Sequence, residues 1–392
     1  MDLSNIRIKE HFGIITNDTN TDKFNFLVSP PKNRESIEKH DIVCLDHPIY
    51  GDPCQILAEV KEIASYEEVA GSTVGNRVGK LLATTQIIGC IDLRNENWLL
   101  SKLLVPPNPG SRIYMPYASF LEDAFSRDVQ GKRYTQPLHL GKAETIAASK
   151  EVADRQIDFY LDAASLINKH TLIASVDGAG KTHTAAVIIE ELANRTNQPI
   201  IIFDQNNEYT KIGATEKLNQ NYPFNFEIAT MNANIAKDTQ EIIGKNIKQG
   251  QVTIVTADNL TLVEKTGYYA TILDALAKNR REKAVPPFLL VVEDAENLPL
   301  QEIQECLTVK NGLSAILITS HPTILGGKVL SRIANQIVGR INDFQDLSYL
   351  KNMTGGSEEQ LCSLGVGEWI INGLDFVRPA KILVRERYSR SK

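Results

Sequence analysis

Apolar positions along the chain fall into two regimes that meet near residue 145. In the first, short apolar runs alternate with Gly, Pro and Asn: Phe12-Gly13-Ile14-Ile15, Phe24-Asn25-Phe26-Leu27-Val28, Asp41-Ile42-Val43-Cys44-Leu45, Gln55-Ile56-Leu57-Ala58-Glu59-Val60 and Gln86-Ile87-Ile88-Gly89-Cys90. That spacing predicts a small β-barrel or sandwich over residues 1–145. Pro106-Pro107-Asn108-Pro109-Gly110-Ser111 cannot continue a central strand or a helix and is expected as an extended turn. Residues 119–129 and 145–165, richer in Ala, Asp and Leu, are expected as short helices and a linker.

Over residues 146–392 strand and helix patterns alternate. Strands are expected at 171–174, 199–203, 252–255, 288–292, 315–318 and 336–338, and helices at 182–194 and 268–278. Several of these strands are continuous apolar runs, the pattern of strands buried on both faces of a parallel sheet. The fold class is therefore α/β, a doubly wound core whose ligands sit at the strand carboxyl ends, preceded by the small β-domain.

The first carrier of chemistry is Ser175-Val176-Asp177-Gly178-Ala179-Gly180-Lys181-Thr182, set between an expected strand and an expected helix. Backbone N–H groups of Asp177, Gly178, Ala179 and Gly180 can turn inward on phosphates, Lys181 can reach β- and γ-oxygens, and the Thr182 hydroxyl can ligate Mg²⁺. His183 follows in the first helical turn. Lys181 is expected to be exposed on the loop. Ser175 stands where the pattern has its first glycine, which is tolerable only if that position has φ below zero.

The second carrier is Leu289-Leu290-Val291-Val292-Glu293-Asp294-Ala295-Glu296-Asn297, an apolar strand ending in paired carboxylates. Adjacent side chains leave a strand in different directions, so Glu293 can hold the Mg²⁺ shell while Asp294 orients and deprotonates an attacking water. Two further strand ends carry polar groups: Asp204-Gln205-Asn206-Asn207-Glu208-Tyr209, and Thr319-Ser320-His321-Pro322, whose Ser320 could sense a γ-phosphate. Each alone reads equally as ordinary loop chemistry.

Composition adds exclusions. With 42% apolar and 23% charged residues nothing argues for disorder, and no apolar run is long enough to span a membrane. The N-terminus lacks a basic-then-apolar signal, so a cytoplasmic location is expected. Cys44, Cys54, Cys90, Cys306 and Cys362 are scattered, without C-x-x-C, and are expected as reduced, mostly buried thiols. A formal net charge of −6 offers nucleic acid no global attraction, so any DNA contact must be local.

Taken in order, these motifs resemble the HerA-type hexameric DNA translocases, relatives of the FtsK pumps and conjugative coupling ATPases. Phe203-Asp204-Gln205-Asn206-Asn207-Glu208-Tyr209 is similar to that family's D-P-H-G-E-Y element. Leu290-Val291-Val292-Glu293-Asp294-Ala295-Glu296-Asn297 resembles its Walker B run, which usually ends E-E-A-H-N, and Thr319-Ser320-His321-Pro322 its T-Q-R-P or T-Q-S-P region. The stretches 329–340 and 364–373 fit its closing strands, and 106–111 its P-x-x-P-G-S turn in the N-terminal barrel.

The resemblance implies a RecA-like ATPase core, a homohexameric ring with ATP and Mg²⁺ between neighbours, a double-stranded DNA substrate and a NurA-like nuclease partner in DNA end processing and double-strand break repair, with no membrane. It also implies a trans-acting arginine, for which Arg340 and Arg332 are the candidates, with surface ion pairing as the alternative. Nucleotide contacts fall on Asp177 to His183, Glu208 and Ser320. Channel contacts to DNA are expected near Lys237, Lys245 and Lys248, where a solvated lysine face is the other reading. The tail from Lys381 is expected either as a strand with a basic end that contacts a neighbour or as a solvated charged terminus. Four departures, at Ser175, Asp294, Glu296 and Ser320-His321, touch the catalytic ring and leave a second function open: a nucleotide-gated ring that assembles or regulates a partner effector without processive movement.

Overall fold

The computed structural model describes residues 6–29, 37–66, 80–94, 98, 100–128, 130–146, 156–212, 226–232, 247–309, 312–354, 358–373 and 379–389. The chain divides into two compact units: residues 1–134 with 142–159, and residues 135–141 with 160–392.

The first unit is built on a seven-stranded sheet of β1 (Gly13–Thr19), β2 (Lys23–Val28), β3 (Ile42–His47), β4 (Gly51–Tyr66), β5 (Lys80–Asp92), β6 (Leu100–Ser101) and β7 (Arg112–Ile113), followed by α1 (Ala118–Phe125). Its order is β3-β4-β5-β2-β1-β7, with β6 added to β5. The two ends approach each other, because Cys44 on β3 and Tyr114 just beyond β7 exchange backbone hydrogen bonds of 2.8 Å in each direction. The sheet is thus nearly closed around a core that includes Phe24, Phe26, Val43, Leu45, Ile56 and Met115.

The remaining elements are β8 (Pro137–Ile146), β9 (Gln156–Asp162), α2 (Ala163–Asn168), β10 (His170–Ala174), α3 (Lys181–Arg195), β11 (Ile200–Asp204), β12 (Glu227–Asn232), β13 (Gln251–Thr256), α4 (Leu262–Arg281), β14 (Phe288–Val292), α5 (Leu300–Leu307), β15 (Leu313–Thr319), α6 (Gly326–Leu330), β16 (Ile333–Val338), α7 (Phe344–Thr354), α8 (Glu358–Ser363), β17 (Glu368–Gly373) and β18 (Ala380–Val384). Each of the six strands expected between 171 and 338 is present; β14 has the expected bounds, β11 is shifted by one residue to begin after Pro199, and the other four are extended by a residue or more. The expectation of helix and linker over 145–165 fails at β9. There Ile157, Phe159 and Leu161 are buried on one face, a period of two that the Ala- and Asp-rich surroundings hide.

The sheet order is β12-β13-β11-β14-β15-β10-β16-β17-β18-β8-β9. From β12 to β16 every pairing is parallel, and β17 and β18 then add antiparallel. β11, β13, β14 and β15 are buried at every position, which is why β14 and the centres of β11 and β15 read as apolar runs. β10 lies between β15 and β16, and β14 lies one strand beyond β15, so the ends of β10, β11, β14 and β15 crowd one carboxyl edge. α4 is started by a capping box in which Thr261 and Glu264 satisfy each other's backbone N–H.

Cys44, Cys54, Cys90 and Cys306 are buried, Cys362 is exposed, and all five are free. Among the described residues no helix is long and apolar enough to cross a membrane.

Candidate nucleotide site

The loop from β10 to α3 turns through two left-handed glycines, Gly178 at φ +77° and Gly180 at φ +104°. Gly180 is the N-cap of α3, which leaves Lys181 and Thr182 in the first turn with the helix's unpaired N–H groups. Ser175 does not share this conformation: its φ is not positive, and its side chain is fully buried. A serine is accommodated here because Gly339 faces it. A Cβ on Gly339 would lie 2.9 Å from Ser175 Cβ and 2.9 Å from the Trp369 ring.

Lys181 is only 8% exposed, against the expectation of an exposed loop lysine. Its Nζ donates to Ser175 O at 3.1 Å, Asp177 Oδ1 at 2.9 Å and Ser320 Oγ at 2.8 Å. Ser320 Oγ in turn donates to Asp177 Oδ1 at 2.6 Å. These two hydrogen bonds, the one from Ser320 first, hold the Asp177 carboxyl below its ordinary range.

Thr182 Oγ1 lies between two carboxylates, within hydrogen-bonding reach of Glu293 Oε1 at 3.1 Å and of Glu208 Oε2, and shares its one hydrogen between them. Glu293 is 2% exposed, and its other oxygen accepts from the buried Tyr209 hydroxyl at 2.5 Å. Burial pushes the Glu293 carboxyl up to about 7; Asp294 and Glu208 add to that, while the hydrogen bonds from Tyr209 and Thr182 oppose it. The loop carrying Glu208 and Tyr209 is shaped by Asp204, whose buried carboxylate accepts from the N–H groups of both at 2.9 Å.

Asp294 leaves the strand in the left-handed region at φ +44°, so its side chain departs from that of Glu293. It accepts from Asn206 Nδ2 at 2.7 Å, and burial raises its carboxyl despite that bond. Gln205 ties the turn together by donating to the carbonyls of Glu293, at 2.5 Å, and Asp294, at 3.1 Å. Glu296 Oε1 accepts from Ser320 N at 2.9 Å, while its Oε2 is buried without a partner.

Asp177, Gly178, Gly180, Lys181, Thr182, His183, Glu208, Glu293, Asp294 and Ser320 all line one open cavity of about 870 Å³. Ala179 is buried just outside it, its carbonyl accepting from Gly367 N at 3.1 Å. Neither arginine candidate lines this cavity. Arg340 follows β16 at the phosphate-loop end, where its carbonyl accepts from Val176 N at 2.8 Å and its Nε is buried without a partner. Arg332 precedes β16, whose Ile333 pairs with His170 at the start of β10, and so lies at the opposite edge of the sheet. Lys248 is exposed in the turn before β13, again at the amino edge, and Lys237 and Lys245 lie outside the described residues.

Sequence reasoning missed Arg387, which lines the cavity from the tail. The described part of that tail begins as the expected strand, β18, and then folds back on α3 of its own chain, so as far as Ser389 it is not a solvated terminus. Arg385 Nη2 donates to Glu191 at 2.9 Å, and the N–H groups of Tyr388 and Ser389 donate to Glu190 at 2.9 Å each. The signal was two adjacent glutamates directly after the apolar run Ala185–Ile189, which need donors once buried.

The donor set suits a hard divalent cation. One hydroxyl and two carboxylates converge at Thr182, Glu208 and Glu293, while no group of three or more His, Cys, Asp or Glu side chains forms a closed metal cage among the described residues. Such an open set is what Mg²⁺ uses when substrate phosphates and water complete its shell.

Residues 146–295 match the family model described as the central domain of helicase HerA. Two probable helicases of Methanocaldococcus jannaschii are similar: MJ1565, 29% identical over 34% of this chain and 22% of its own length, and MJECL08, 26% identical over 41% and 27%. The matched region thus spans about a quarter of the length of either relative. Among solved structures, the genome packaging NTPase B204 of Sulfolobus turreted icosahedral virus 2 aligns with TM-score 0.39 and 16% identity over 55% of this chain and 97% of its own. VirB4 of Thermoanaerobacter pseudethanolicus aligns with TM-score 0.45 and 12% identity, over 64% and 96%.

Proposed function

From a chain whose residues 146–295 match the central domain of helicase HerA, we propose an ATP-driven translocase or helicase that works on double-stranded DNA as a homohexameric ring. In this reading residues 1–145 are a barrel domain, residues 146–392 are a RecA-like motor, and a NurA-like nuclease processes the DNA ends that the ring delivers. The observation that carries it is the meeting of Lys181, Thr182, Glu208, Glu293 and Asp294 in one cavity at the carboxyl edge of a parallel sheet.

The N–H groups of the loop and the start of α3 bind the β- and γ-phosphates, with Lys181 as their fixed cation. Thr182 and Glu293 would hold Mg²⁺, with Glu208 beside them, and an ion bound there would neutralise charge on the phosphate oxygens. Asp294, oriented by Asn206, takes the proton of the water that attacks the γ-phosphorus, and the β–γ bridging oxygen leaves with ADP. Ser320 senses the γ-phosphate. Arg340, at the phosphate-loop end yet outside its own cavity, acts on a neighbour's γ-phosphate, and its placement favours it over Arg332. Lys248, with Lys237 and Lys245, supplies phosphate contacts to DNA.

One contact favours a second reading, a nucleotide-gated ring that assembles a partner effector. Asp177 and Ser320 already hold Lys181, so nucleotide must displace a carboxylate from its own phosphate loop. Turnover on purified full-length protein, with and without linear duplex DNA, separates the two. The motor requires ATP hydrolysis that rises several-fold with DNA and hexamers by light scattering. DNA-independent turnover with rings still forming supports the scaffold, and monomers under all conditions remove both.

A further inference from the structure

The cavity is lined by five carboxylates, those of Asp177, Glu208, Glu293, Asp294 and Glu296, against one lysine and one arginine. A nucleoside triphosphate would bring further negative charge. Lys181 and a divalent cation at Thr182 and Glu293 answer part of that charge, and Arg387 is the remaining strong cation in the lining.

Arg387 is held there by built structure. Glu190 is fully buried and accepts from the N–H groups of Tyr388 and Ser389 and from the Ser389 hydroxyl. Glu191, 1% exposed, accepts from Arg385, whose guanidinium also stacks 3.8 Å over the Tyr388 ring. His183 and Glu190, seven residues apart, share one face of α3, and His183 Nε2 lies 2.9 Å from Arg385 O. Two clamps thus bracket Arg387. Its Nε donates to Ser389 O at 3.0 Å and to Ser389 Oγ at 3.1 Å, which sets the direction of the side chain along the cavity wall.

We propose that Arg387 is a nucleotide-binding residue acting in cis, its guanidinium contacting phosphate oxygens of the same nucleotide whose phosphates Lys181 holds. The proposal rests on the nucleotide reading of the cavity. It assigns the C-terminal tail a part in that site, with binding coupled to the docking of residues 385–389 on α3.

Titration of full-length protein with a fluorescent ATP analogue and its ADP counterpart tests this, with thermal melting to follow tail docking. Arg387→Gln should weaken binding by about 10–100-fold, as expected for lost charge-assisted bonds to phosphate, and Arg387→Lys should recover part of it. Both variants should melt within about 2 °C of wild type, since the Glu190 and Glu191 clamps remain. Wild-type affinity in Arg387→Gln, alongside lost affinity in Lys181→Ala, overturns the assignment and leaves the nucleotide reading standing. Absence of binding to the wild-type protein removes both. At an ATP concentration low enough to leave Arg387→Gln nearly inactive, adding Lys181→Ala protein should restore no hydrolysis, because both defects fall in one site; recovered hydrolysis shows that Arg387 serves a neighbour instead and overturns the cis assignment.

Discussion

Lys181 Nζ lies 2.9 Å from Asp177 Oδ1, an ion pair closed within the phosphate loop itself. Asp177 is 90% exposed at its side chain, so the pair adds little to stability but occupies the lysine that phosphate needs. Asp177→Asn should therefore bind ATP several-fold more tightly, read by isothermal titration at fixed Mg²⁺. Weaker binding in that variant means Asp177 orients Lys181 for the nucleotide rather than competing with it.

Glu293 makes the apo-protein sensitive to pH. With its carboxyl raised from 4.5 to about 7 by burial, the folded state keeps a proton between those values that the unfolded chain has released. Stability from this group is full below pH 4.5 and is lost as pH rises through about 7. Denaturant unfolding without Mg²⁺ at pH 5 and pH 8 should show this loss in the wild type, and Glu293→Gln should lack its share of the slope. Parallel pH profiles for the two proteins contradict it.

Asp294 tests the base. Asp and Asn tolerate the left-handed conformation at φ +44°, so Asp294→Asn should keep its fold and its nucleotide while hydrolysis falls by about a hundredfold or more. Asp294→Glu adds reach but carries the backbone strain of a longer side chain there, roughly 1 kcal/mol. Its turnover should match or exceed wild type if Asp294 is a shortened glutamate. A severe loss, with melting close to wild type, means a pocket built around aspartate.

Arg340 and Lys181 should complement across an interface. Arginine fingers are worth about 10³–10⁵ in rate, so Arg340→Ala and Lys181→Ala should each be nearly inactive and their mixture measurably active. Mixed rings that form but stay inactive, while Arg332→Ala complements, move the finger to the other edge of the sheet.

Gly339 tests the loop's departure at Ser175. Gly339→Ala should destabilise by about 1–3 kcal/mol through overpacking against Ser175 and Trp369. Adding Ser175→Gly should restore part of that loss, since it removes one of the two contacts; equal melting temperatures for the single and double variants would locate the clash wholly at Trp369.

By itself the sequence determined the α/β core and pointed to most residues of the candidate site. Strands buried on both faces, such as β11, β14 and β15, announce themselves as apolar runs because every position meets a neighbour in the core. The phosphate loop and the Glu293–Asp294 turn were legible because their chemistry depends on residues adjacent in the chain. β9 was not, since seven residues of alternation are short beside the composition around them. Tertiary structure alone decided three features of the site: the burial of Lys181, the bond from Tyr209 to Glu293, and the arrival of Arg387 beside α3. Each depends on which strand ends and which tail share an edge, a matter of sheet order and of buried carboxylates finding distant donors. Local periodicity carries no information about either.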